Sequence, residues 1–123
     1  MDTPSKTRKI LTWVLTGALS AMFLLSAFMK LTLNEAAVAG FADWGPGYNV
    51  RLIGGGELVS ALLFLYPRTS SLGLLLLSAY MGGAIATHMQ WGQPYIMPSI
   101  FLLLVWVAGW LRNPHIFDSL RGA

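Results

Sequence analysis

Residues 10–29 of this 123-residue chain carry no charged side chain, and that run restricts the fold more than any other feature. It continues to Leu33 with Lys30 as its one charge, long enough for a bilayer core of ~30 Å at ~1.5 Å per residue. Three more apolar runs follow, at about residues 50–66, 71–89 and 95–111, each near the lower limit of about 17 residues for a crossing. Lys6, Arg8 and Lys9 ahead of the first run would also suit a secretory signal. The run is longer than an h-region of about 7–15 residues, however, and the later runs have no place in that reading. The expectation is an all-α integral membrane four-helix bundle forming one domain over residues 1–123, with helices at about 10–31, 50–66, 71–89 and 95–111.

Breakers and charges set the topology. Pro67-Arg68 ends the second run and leaves only a tight connection to the third, which makes an antiparallel hairpin. Arg112-Asn113-Pro114 closes the fourth. Lys6, Arg8, Lys9, Arg68, Arg112 and Arg121 then fall on one side and only Lys30 and Arg51 on the other, a positive-inside bias that places both termini in the cytoplasm. Trp13, Tyr66, Trp106 and Trp110 lie toward the inner interface, and Trp44, Tyr48, Trp91 and Tyr95 toward the outer one. Residues 32–49 form the outer loop, in which Asn34 is a candidate N-cap for a short interfacial helix running to Gly40. The chain reads as a multi-pass protein of the cytoplasmic (inner) membrane.

Composition removes several functions. Only 11% of the residues are charged against 55% hydrophobic, and cysteine is absent, so disulfides, thiolate metal sites and iron–sulfur ligation are out. The net charge of +3 is spread in short clusters with no base-reading or stacking face on a soluble fold, which argues against nucleic acid. His88 and His115 fall at opposite ends of the spans, ~30 Å apart, so no metal or haem site is expected.

Chemistry has few places to reside. Lys30 ends the first helix, Glu57 lies about 9 Å inside the second, beyond Arg51, and His88 ends the third. All three come to the outer level. Ionisable groups inside a membrane are costly, so Lys30 and Glu57 are expected to face inward and pair with each other or with Arg51. Ser26, Gly54-Gly55-Gly56 and Gly82-Gly83-Ala84 border them, and rows such as Gly56/Ser60 and Ala84/His88 would bring helices close, unless the glycines instead open a pocket. Gln90, Trp91, Gln93 and Tyr95 could roof such a pocket, although anchoring at the interface is the simpler account of the aromatics. The methionines at 22, 29, 81, 89 and 97 would suit lipid contact, packing or a prenyl-tail groove.

Two readings stay open from the residues alone. In one, a buried Lys–Glu–His network only fixes helix register. In the other, Lys30 or His88 donates to a ligand carbonyl and Glu57 moves protons, with Arg51, Gln90 and Gln93 as further ligand-binding candidates. No self-sufficient catalytic site is visible, and any cofactor would be borrowed, a quinone being the candidate. A transporter is the weaker third reading, because no repeat or second gate is present.

The segments Ser26-Ala-Phe-Met-Lys30, Gly55-Gly56-Glu57 and Gly83-Ala84-Ile-Ala-Thr-His88 occur in this order. With the aromatic loop before the second helix and the closing Arg112-Asn113-Pro114, they resemble the DoxX-like family over nearly the whole chain. Ala27 stands where many relatives have glycine. The resemblance implies a small four-helix membrane protein associated with redox or quinone systems, as a subunit or accessory factor of a membrane oxidoreductase or as a homo-oligomer, and it supplies no catalytic mechanism.

Overall fold

The computed structural model describes residues 5–121, so the extreme termini and the side chain of Arg121 lie outside the described part. Helix α1 spans Lys6–Leu31, α2 Glu35–Ala42, α3 Val50–Leu65, α4 Ser70–Gln90 and α5 Ile96–Arg112, with 3-10 turns at Pro67–Thr69 and Pro114–Arg121. Among the described residues every regular element is helical. Helix α1 begins four residues ahead of the apolar run because the Ser5 side chain accepts from the Arg8 amide at 3.1 Å, capping a basic first turn that hydropathy alone does not mark. Asn34 caps α2 through the Ala36 amide at 3.0 Å, and Asn49 caps α3 through the Leu52 amide at 3.0 Å. Tyr66, held extended at ψ 126° ahead of Pro67, stops α3.

Helix α1 packs on α3, α3 on α4, α4 on α5, and α5 on α1. The core they enclose holds Leu19, Phe23, Phe64, Leu77, Met81 and Val105. Close approach is made at three glycines. A methyl group on Gly54 would sit 2.7 Å from Lys30 Cβ, one on Gly109 would sit 2.7 Å from Leu74 Cδ2, and one on Gly73 would run into the Phe64 backbone. Nothing lies within 4 Å of such a group at Gly55, Gly56, Gly82 or Gly83. The Gly56/Ser60 row therefore makes no close approach at Gly56, and Ser60, which is buried, donates to its own helix at Gly56 O, 2.6 Å away.

The outside of the molecule is as apolar as the inside. Leu25, Leu75 and Leu103 are 62%, 60% and 66% exposed, a surface that water would not tolerate and hydrocarbon would. This is a membrane protein. Lys6–Leu31 (26 residues) and Pro67–Gln90 (24 residues) are long and apolar enough to cross, and Ile96–Arg112 joins them only when taken with the following segment, from which it bends by 99°. Helix α3, at 16 residues, reaches about 24 Å, short of a full hydrocarbon core.

The hairpin between α3 and α4 is held from α5. The Arg112 guanidinium donates to the carbonyls of Phe64 and, at 2.9 Å, Leu65, supplying the acceptor-rich end of α3 with charged donors, and it stacks over Trp13 at 5.1 Å. Arg8 likewise lies over Trp110 at 4.9 Å. The start of α1 and the end of α5 thus meet at what is called here the Arg112 end, opposite the Lys30 end.

Candidate functional site

At the Lys30 end, antiparallel α1 and α3 place Glu57 opposite Ser26 and Lys30. Lys30 Nζ lies 2.8 Å from Glu57 Oε1 and donates to Ser26 Oγ at 2.6 Å, and Ser26 in turn donates to Glu57 Oε1 at 3.1 Å. Gly54, one helical turn before Glu57, permits this, because any side chain there would push Lys30 away. Tyr80 of α4 stands beside Glu57, and its ring lies 5.6 Å from the Lys30 ammonium. Glu57 is 2% exposed and the Lys30 side chain 12%. A carboxylate so buried is tolerable only because an ammonium and two hydroxyls surround it.

Beside this cluster lies a cavity of about 830 Å³. Its walls are two matching helical stripes: Met22, Leu25, Ser26, Met29 and Lys30 on α1, and Tyr80, Gly83, Ala84, Thr87 and His88 on α4. Both follow the i, i+3, i+4, i+7, i+8 pattern of a single helix face. Helix α2 covers the opening with Ala36, Ala37, Gly40 and Phe41, and Trp44 and Tyr48 complete the roof. Phe41, Trp44 and Tyr48 pack on one another with ring centroids 5.3 to 6.0 Å apart.

His88 lines the cavity but stands apart from the ion pair. Its Nδ1 lies 2.6 Å from Ala84 O; a carbonyl only accepts, so Nδ1 carries the hydrogen and Nε2 is the acceptor of the neutral ring. The Trp44 ring meets His88 edge-on at 5.0 Å, and the Trp44 indole N–H is buried without a described partner.

The structure thus brings Lys30 and Glu57 into one ion pair, with His88 and Gln93 on the same cavity wall. Arg51 is exposed and Gln90 is exposed, and neither borders the cavity. Trp91 and Tyr95 are 45% and 44% exposed rather than roofing the space, although the Trp91 indole donates to Tyr48 OH at 3.2 Å. Met22 and Met29 line the cavity, Met81 is in the core, and Met89 and Met97 face outward. His115 pairs with Asp118 at 2.8 Å, and no cluster of metal-ligating side chains occurs among the described residues. Sequence reasoning missed Tyr80 and undervalued Ser26; the shared stripe with Ala84 and His88 was the signal for Tyr80.

The family model of the DoxX-like family matches residues 14–108. The chain belongs to the DoxX-like family. No curated protein and no solved structure matches it. The matched DoxX-like region contains every residue of the ion-pair cluster and of the cavity.

Proposed function

We propose that this DoxX-like protein is a four-helix bundle of the inner membrane, with both termini cytoplasmic, that holds the polar head of a quinone-class ligand near the outer leaflet. It acts as a small subunit or accessory factor of a quinone-linked membrane oxidoreductase. The observation that carries this reading is the cavity itself: about 830 Å³, largely apolar, with an ammonium, a phenol and an imidazole at its wall. A quinone has the same division, two carbonyl acceptors on an apolar ring and tail. The Lys30 ammonium has three N–H donors, two of them engaged by Ser26 and Glu57, so one remains for a ligand carbonyl. His88 Nε2 faces the task of accepting from a reduced hydroxyl. Orientation rests on the basic residues of the Arg112 end and the positive-inside bias.

A second reading has its own observation. Glu57 is satisfied by Lys30 and Ser26 and does not itself border the cavity, as expected of a pair that maintains register in a non-catalytic scaffold or assembly factor. The doubly neutral variant Lys30→Met/Glu57→Gln separates the two. Reconstituted in nanodiscs with decyl-benzoquinone, it should stay folded and lose recovery of the bound quinone, as should His88→Phe. Retention of the quinone by both variants would leave the scaffold reading standing.

A further inference from the structure

We propose that the cleft at the Arg112 end binds the phosphate of an anionic phospholipid. It needs only that this end meets a bilayer surface and is independent of the quinone reading. The cleft holds about 300 Å³ between three elements: Lys9, Thr12 and Trp13 of α1, Pro67 and Ser70 at the α3–α4 turn, and Leu111 and Arg112 of α5. Two cations and an aromatic face converge there, which is the chemistry of a phosphodiester with its glycerol, while the Thr12 and Ser70 hydroxyls donate to the carbonyls of Arg8 and Pro67.

Two observations favour an anion. First, the charge is unbalanced. Lys6, Arg8, Lys9, Arg68 and Arg112 gather at this end, and the described carboxylate among them, Asp118, is held by His115. Arg112 spends its donors on the neutral carbonyls of Phe64 and Leu65, so its charge is oriented but not cancelled. Second, α4 begins at the cleft without a side-chain cap, because Thr69 donates instead to Leu63 O at 2.8 Å and Ser70 to Pro67 O at 3.1 Å. The first-turn amides of a 21-residue helix therefore present their positive end beside Lys9 and Arg112. Trp13 is half-exposed at the rim, where an interfacial indole flanks a headgroup.

A soluble phosphate has the same chemistry, so the test carries both. The full chain in dodecyl maltoside is examined by native mass spectrometry with dioleoyl-phosphatidylglycerol, dioleoylglycerol and inorganic phosphate. Each cation near an anionic headgroup is worth about fivefold. Phosphatidylglycerol should be retained roughly twentyfold over dioleoylglycerol, Lys9→Gln should lose about fivefold, Ser70→Ala should lose less, and Lys6→Gln, outside the cleft, should lose nothing. Equal retention of the two lipids overturns the proposal. So does an equal loss in Lys6→Gln, which would mark diffuse charge, or displacement of the lipid by millimolar inorganic phosphate, which would mark a soluble ligand. Lys9 makes no described side-chain contact with the protein, so its variant leaves the fold intact.

Discussion

At the Lys30 end an ammonium, a carboxylate and two hydroxyls close on one another within the protein, beside a cavity of about 830 Å³. At the Arg112 end Arg112 lies over Trp13 and donates to helix carbonyls, Arg8 lies over Trp110, and no described carboxylate reaches either. One end is neutral in itself and encloses space; the other keeps its charge for what lies outside. The difference follows from depth, since a charge within the hydrocarbon needs an internal partner and a charge at the headgroup level does not. It also implies that the two ends respond differently to loss of a single charge.

The largest effect is expected from Lys30→Met. It strands a carboxylate that is 2% exposed, and removing one partner of a buried pair costs about 3–5 kcal/mol. Glu57→Gln should cost less, because the Lys30 side chain lies at a cavity wall and its ammonium can shift toward the opening. The double variant should recover most of the loss, measured by thermal unfolding in detergent. Equal losses in both single variants, without recovery in the double, would mean that the two groups do not act as a pair.

Arg112→Met comes next and tests the other end. The Phe64 and Leu65 carbonyls would lose charged donors but lie at a helix terminus near the interface, where water substitutes in part. A cost of about 1–3 kcal/mol is expected, with faster amide exchange confined to the turn at residues 66–70. A loss as large as that of Lys30→Met would erase the contrast between the ends.

How far these ends were legible in the sequence depends on what each residue type signals. Lys30 and Glu57 stood out because ionisable groups within apolar runs are rare and force pairing, and Asn34 announced α2 as a cap does. Tyr80 was hidden: a tyrosine in a membrane helix looks like any aromatic until its helix face is compared with that of His88. The glycines were legible only as runs: Gly54 of the first run makes a close approach and Gly83 of the second lines the cavity, whereas Gly73 and Gly109, which make the other close approaches, carried no signal. Spacing along one helix does not reveal which face meets a neighbour. Hydropathy did not mark the start of α1, because the apolar run begins at Ile10, whereas the helix follows its cap at Ser5. Sequence put the second run near the lower limit for a crossing, and α3, at 16 residues, is shorter than the two helices that are long and apolar enough to cross.

The smallest effect is expected at the roof of the cavity. Helix α2 buries none of its residues, and it is flanked by two left-handed positions, Leu33 at φ 53° and Gly45 at φ 96°. Its ties to α4 are the Trp44–His88 contact at 5.0 Å and the Trp91–Tyr48 hydrogen bond at 3.2 Å. Trp91→Phe removes one exposed hydrogen bond, worth about 0.5–1.5 kcal/mol, and leaves the ion pair untouched. The midpoint of global unfolding should hardly move, because α2 adds little to the core. Amide exchange over residues 36–42 should quicken severalfold while α1 and α4 keep their protection, since only the tethered segment gains freedom. Unchanged exchange in α2 would show that Trp44 on His88 holds the roof unaided; slower exchange in α2 than in α4 would mean that the cavity is closed by the fold itself.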